Sequence, residues 1–210
     1  MKVYGHPLSS CTRKVLMTLA EKGTTAEFVL VDLLKHDHTT PTHLALHAFG
    51  RVPVLEDGDF RMIESRAIIR YLDARLPGAA LVPNDLREAA RMDQWLSVDA
   101  SYVAPHTRTL AIERLMKPHA GIPVDAAAAK DAEDQLERTL VTIDRTLADQ
   151  PYLVGSELTL ADISLLPYVA SLPLLSAAHV AEKTPHVRAW LGRMTARPSW
   201  KAVAGLANPA

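Results

Sequence analysis

Between Phe49 and Leu72 the chain reads FGRVPVLEDGDFRMIESRAIIRYL, and three features of this stretch suit it to holding a small peptide-like ligand. Val52-Pro53 comes first. Cis peptides are almost confined to X-Pro bonds, and a cis bond here would turn the N–H and C=O of Val52 outward, unpaired, at a sheet edge, where an extended tripeptide can pair as an added strand. The same dipeptide is also an ordinary start for a strand. Next, Val54 to Glu56 and Phe60 to Ile63 alternate as strands around Asp57-Gly58-Asp59, and Asp-Gly is a strong hairpin signal. Last, Glu64-Ser65 opens a helical run whose apolar face is Ala67, Ile68, Tyr71 and Leu72. The first N–H groups of such a helix lack internal partners and its dipole adds partial positive charge, which together attract a carboxylate. Ser65 adds a hydroxyl, or else caps its own helix.

The N-terminal residues place a second hydroxyl in a comparable position. Met1 to Tyr4 reads as a short strand, Gly5 to Ser9 as a turn, and Ser10 to Glu21 as a helix closed by Lys22-Gly23. Ser9 therefore lies in a strand-to-helix turn, where its ordinary use is to cap the helix. Two residues on is Cys11, the only cysteine.

The opening YGHPLSSCTRKVL and the block from Val52-Pro53 to Glu64-Ser65 together resemble the glutathione transferases, with wording closest to the phi class within the theta/phi-type bacterial members. The resemblance implies that Ser9 is the catalytic residue. A thiolate is the nucleophile in such chemistry, and a thiol of pKa about 8.5 is only slightly ionised near neutrality. A hydroxyl donated to the sulfur, with a helix N-terminus nearby, lowers that pKa, and two units correspond to about 2.7 kcal/mol. Glutathione is thus the expected co-substrate, without a metal. The resemblance also assigns Val52, ahead of Pro53, to the cysteinyl backbone of glutathione, Ser65 to its γ-glutamyl carboxylate and Glu64 to its γ-glutamyl ammonium. His38 falls where the family binds the glycine carboxylate. The family's next residue is usually Lys and here is Thr39, which leaves one cationic contact open, with Lys35 and Arg51 able to supply charge instead. Ser9-Ser10-Cys11 also looks like the opening of the zeta class, which isomerises maleylacetoacetate, and Cys11 is a rival thiol of the kind used by the cysteine branches. A third reading is a binding or adaptor protein on the same fold, since fold alone does not fix function.

Element order then sets these residues in place. Strand, helix, strand Glu27–Val31, a short helix near His43–Ala48, the hairpin and the helix after Ser65 give βαβαββα, a mixed sheet of the thioredoxin-like kind. Pro and Gly between Leu76 and Asn84 mark a break, so the expected division is a glutathione-binding domain at 1–76, a linker at 77–84 and an all-helical bundle at 85–210. Asp85–Met116 carries Met92, Trp95, Leu96, Val98 and Tyr102 at helical spacing, and Asp125–Ala148 repeats Leu136, Leu140, Ile143 and Leu147. Thr159-Leu160-Ala161-Asp162 is a capping box with Asp in place of Glu, a folding signal. Pro185–Ala196 and Ser199–Leu206 close the bundle. An apolar electrophile is expected between the domains, against Leu8, Leu34, Tyr102, His106 and Met116.

Composition narrows the classes further. Among 210 residues, 23 Lys and Arg nearly balance 24 Asp and Glu for a net charge of −1, with no basic stripe to hold nucleic acid. The single cysteine and the lack of an apolar leader point to the cytosol, and Leu158–Ala181, although apolar, is interrupted by Asp162, Pro167 and Pro173 and is read as buried rather than membrane-spanning. His36, His38, His43 and His47 crowd one polar segment without Cys or paired carboxylates, and are read as solvated rather than metal-binding. Phe49, immediately before the Val52 loop, is expected to anchor a homodimer.

Overall fold

The structure, a computed structural model, describes residues 1–206. Contacts divide it into two compact units, Met1–Val82 with the described residues from Ala196, and Pro83–Thr195. The last four residues of the expected 85–210 domain lie outside the described residues.

The first unit is built on a four-stranded sheet of order β2-β1-β3-β4, with β1 Lys2–Gly5, β2 Glu27–Leu30, β3 Val54–Asp57 and β4 Phe60–Met62. Helix α1, Ser10–Glu21, carries the chain from β1 to a parallel β2, while β3 and β4 are antiparallel. Their loop is Gly58-Asp59, with Gly58 at the positive φ such a turn requires. Between β2 and β3 lie a 3-10 turn, Asp37–Thr39, and helix α2, Pro41–Leu46, which starts earlier than expected because Thr40 caps it and Pro41 takes its first position. Helix α3, Ser65–Arg75, follows β4 and packs on α1.

The buried face of α3 is Ser65, Ile68, Ile69 and Leu72, not the expected set with Ala67 and Tyr71. Spacing i, i+3, i+4, i+7 explains the difference, because it leaves Ala67 exposed and swings Tyr71 out to meet Asp57 at 2.8 Å. Near the end of α3, Asp73 pairs with the buried ammonium of Lys22 at 3.0 Å and accepts from the N–H groups of Leu81 and Val82. Most of the expected linker is therefore fastened to the sheet unit.

In the second unit, α4 Leu86–Val98 and α5 Ala104–Ala111 replace the single long helix that periodicity suggested. Wider π-helical turns at Asp99–Val103 and Ile112–Met116 interrupt it. Pro105 and Pro118 stand just beyond them, and a proline ring that clashes with the carbonyl four residues back is relieved by widening the preceding turn. After α6, Lys117–His119, helix α7, Ala126–Leu147, buries Ala129, Ala132, Leu136, Leu140, Ile143 and Leu147 as one stripe.

Helix α8, Leu160–Ser171, is buried on every side and opens on the expected box. Asp162 accepts there from Thr159 N–H and hydroxyl, and further from Leu153 N–H and the Trp190 indole, the last two at 2.9 Å. Trp190 belongs to α9, Pro185–Ala196. The final helix, α10, Pro198–Gly205, was expected with the bundle but packs on α1 of the sheet unit, because Arg197 and Ser199 both bond Glu21. No helix among the described residues is long and apolar enough to cross a membrane.

Candidate functional site

The site begins with Gly5. A Cβ there would stand 2.5 Å from the side chain of Thr12, so only glycine lets the strand end lie against the first turn of α1. Thr12, wholly buried, then serves the turn twice: its hydroxyl accepts from His6 N–H at 3.3 Å, and its own N–H donates to Ser9 Oγ at 3.3 Å. Ser9 N–H donates to His6 O, and His6 Nδ1 accepts from Leu8 N–H. Burial holds the basicity of His6 below the ordinary range, which favours the neutral ring that an accepting Nδ1 needs. Ser9 is thus the N-cap of α1, as its position suggested. A hydroxyl carries two lone pairs and one proton, so accepting from Thr12 leaves the Ser9 proton to be donated. Cys11 lies half-buried in the same first helical turn.

Val52-Pro53 is cis, and among the described residues no hydrogen bond is made to the N–H or C=O of Val52. The expectation of a sheet edge needs correction. β3 is an inner strand, and Val52 lies just ahead of its first paired residue, Val54, where the ladders to β1 and β4 have not begun. The two groups are open because they precede the sheet.

The loop that carries them is held by histidines. His43 and His47 are buried, at 5% and 2% exposure, which overturns the reading of these residues as solvated. His43 Nε2 bonds the carbonyl of Arg51 at 2.8 Å, His47 Nδ1 accepts from Phe49 N–H, and the His47 carbonyl accepts from Gly50 N–H. Burial keeps His47 below the ordinary imidazole range. Gly50 has φ of 58°, and a Cβ there would meet the carbonyl of His38 at 3.0 Å, so the loop also presses on the 3-10 turn. Spacing i, i+4 on a short helix was the only sequence signal for the His43/His47 pair.

His38 is half-buried, and its Nδ1 is buried without a hydrogen-bond partner. Burial first, and then the neighbouring His36, His43 and Arg51, push its basicity down. Thr39 turns its hydroxyl back to His36 O, and Lys35 pairs with Asp32, whereas Arg51 is exposed. At the other end of the segment, Glu64 is the residue before α3 and has φ of 70° and ψ of 102°, a conformation costly for a residue with a side chain. Ser65 is the first residue of α3 and buried, so the capping role proposed for it falls to the Glu64 position instead. The residues assigned to the electrophile sit on both units. Leu8 and Leu34 are about half exposed on the first; Tyr102 and Met116 are exposed on the second, within its two π turns, with His106 half-buried between them.

Comparison with known proteins bears on the family and the fold. The glutathione S-transferase N-terminal domain matches residues 1–74 and the C-terminal domain of the same family matches residues 103–198. Glutathione S-transferase F10 of Arabidopsis thaliana is 35% identical over 200 residues, covering 94% of this chain and 93% of its own. The crystal structure of glutathione transferase F7 from Populus trichocarpa superposes with a TM-score of 0.91 at 35% identity, covering 99% of both chains. Glutathione S-transferase I from maize, in complex with an atrazine glutathione conjugate, superposes at 0.88 with 30% identity over 100% of this chain and 98% of its own.

Proposed function

Because the chain belongs to the glutathione S-transferase family, we propose that Ser9 is the group that holds the sulfur of bound glutathione as a thiolate. The chain is a glutathione transferase, with the thioredoxin-like sheet unit and the helical unit of that fold. What carries the assignment of Ser9 is the Thr12 N–H bonded to its Oγ, which fixes the oxygen at the head of α1 and leaves its proton for the sulfur. Hydrogen bonding to the charged form of an acid lowers its pKa, and the helix N-terminus adds to the effect. The thiol proton passes to solvent, and the thiolate attacks the electrophile. A carbon–sulfur bond forms as the leaving group departs with its electron pair.

The tripeptide lies across the rest of the site. The open N–H and C=O of Val52, ahead of Pro53, pair with its cysteinyl backbone. Ser65 and the first N–H groups of α3 take the γ-glutamyl carboxylate, and Glu64 takes the ammonium. The glycine carboxylate falls to His38 and Arg51: the first has an unused buried nitrogen, and the second is the cation not committed to a neighbour in the way Lys35 is to Asp32. We place the chain in a phi-like class on its opening motif and its F-type relatives. An apolar electrophile against Leu8, Leu34, Tyr102, His106 and Met116 fits the exposure of the apolar members of that set, and the maize structure holds a conjugate of atrazine. We also infer a homodimer joined through Phe49 and residence in the cytosol, the latter from a single thiol that cannot form an internal disulfide.

Turnover with a chloronitrobenzene, an organic hydroperoxide and maleylacetone tests the reading. Conjugation of the first, lost in Ser9→Ala and kept in Cys11→Ala, is expected. Loss in Cys11→Ala with Ser9→Ala still active would move the chemistry to the cysteine, and a rate confined to maleylacetone would make the protein an isomerase.

A further inference from the structure

We propose that Arg13 is a positioning residue for Ser9, holding the catalytic turn from behind through a clamp closed by Trp200. The inference rests on the assignment of Ser9 as donor to the sulfur. Arg13 stands one helical turn beyond Ser9, and its backbone N–H donates to the Ser9 carbonyl at 2.9 Å. Its side chain runs the other way: Nε donates to the carbonyl of Pro7 at 2.7 Å. A bond from a guanidinium is charge-assisted and among the stronger ones a loop carbonyl can accept.

The guanidinium is itself seated. Its carbon lies 5.6 Å from the ring centroid of Trp200, a buried residue of α10. Arg prefers such stacking, and the aromatic face holds the charge without competing for its N–H groups. Helix α10 is tied down in turn by Arg197, whose Nε and Nη2 reach the carboxylate of Glu21 at 2.7 and 2.8 Å, with Ser199 on the same group. Burial raises the Glu21 carboxyl while Arg197 and Ser199 lower it, and the net shift is downward, so the pair stays charged. A chain of contacts therefore runs from the last helix, through Trp200 and Arg13, to the Pro7 carbonyl two residues before Ser9. Without it the Pro7 carbonyl loses its partner, and the stretch from Pro7 to Ser9 keeps only the local bonds at Leu8 N–H, Ser9 N–H, Ser9 Oγ and Ser9 O. Misplacing a donor by a fraction of an ångström weakens its hold on the sulfur more than it weakens binding of the peptide.

The experiment is a double-mutant cycle in the full chain with glutathione and a chloronitrobenzene, reading kcat, KM for glutathione and thiolate absorbance of the bound tripeptide against pH. Arg13→Gln is expected to lower kcat about tenfold and raise the thiol pKa, with KM within about twofold. Added to Ser9→Ala it should cost little more, because it acts through that hydroxyl. Trp200→Leu should repeat the effect more weakly, and Trp200→Phe, which keeps a ring face, should restore most of it. Additive losses in the double variant would overturn the proposal, showing that Arg13 acts on the sulfur without Ser9. A raised thiol pKa in Ser9→Ala with none in Arg13→Gln would overturn it too, and leave the role of Ser9 standing; an unchanged pKa in Ser9→Ala would remove the reading beneath it. Should Arg13→Gln fail to fold, the Trp200 pair decides, since equal thiol pKa values in Trp200→Leu and Trp200→Phe contradict the clamp.

Discussion

Glu64 carries a backbone cost beside the proposed peptide site. Its φ of 70° is open to glycine and expensive for glutamate, and such outliers persist where the surroundings and the function need them. Glu64→Gly is accordingly expected to raise the denaturant midpoint, by an amount equivalent to about 1 kcal/mol, while lowering affinity for glutathione. Urea unfolding set beside a glutathione titration checks it. A variant that is both less stable and weaker in binding would mean that the carboxylate, not the backbone angle, dominates there. At this scale the sequence was informative where a residue acts through its own type. The positions of Ser9, Val52 and Glu64-Ser65 could be placed because a hydroxyl before a helix, an X-Pro bond and a polar pair ahead of an apolar run each have a local meaning, whereas their roles toward glutathione rest on the resemblance. His43 and His47 could not, because a histidine turned into a loop and one turned into water read alike.

Helices and loops show the same division. The capping box at α8 was readable from Thr159 and Asp162, but the sequence gives no hint that Trp190 and Leu153 also spend a donor on that carboxylate. Burial pushes the Asp162 carboxyl up and these donors pull against it. Asp162→Ala would strand all of them in an apolar core, so the expected loss is about 3 kcal/mol rather than that of a simple cap, and it should fall on stability and yield with little change in kcat of the folded enzyme. A wild-type midpoint with lost turnover would contradict the structural role. The loop from His36 to Val52 makes a pH prediction. His38 and His47 titrate below the ordinary imidazole value in the folded chain, chiefly through burial, and His6 does likewise. As pH falls through about 6.5 the unfolded chain takes up protons that the folded chain refuses, so stability should fall with it. Denaturation at pH 7.5 and 5.5 should show a smaller difference in His47→Gln than in the wild type; an equal difference would remove His47 from the account. Element boundaries were missed where proline geometry set them. Pro105 and Pro118 did not end the long helix but widened it into π turns, which periodicity alone cannot anticipate.

For the whole molecule, the mixed sheet and the helical unit followed from the alternation of strand and helix signals and from the Pro and Gly after Leu76. The seat of α10 did not, because it depends on Glu21 meeting Arg197 and Ser199 across most of the chain length. Phe49 bears on assembly. It is 74% exposed, so packing within its own domain does not account for it, and among the described residues its ring neighbour is His47, edge-on at 6.1 Å. An exposed aromatic on the loop that carries Val52 suits an anchor in a partner's pocket. Phe49→Ser is expected to sediment as a monomer at micromolar concentration and to bind glutathione more weakly; an intact dimer of unchanged affinity would assign Phe49 neither role. The role proposed for Ser9 is that its hydroxyl, fixed at the head of α1, keeps the sulfur of glutathione ionised. The most direct measurement is the thiolate absorbance of bound glutathione, titrated against pH in the wild type and in Ser9→Ala. The account predicts a bound thiol pKa well below that of free glutathione in the wild type and a rise toward the free value in the variant, with affinity within a few-fold; the same depressed pKa in both proteins would contradict it.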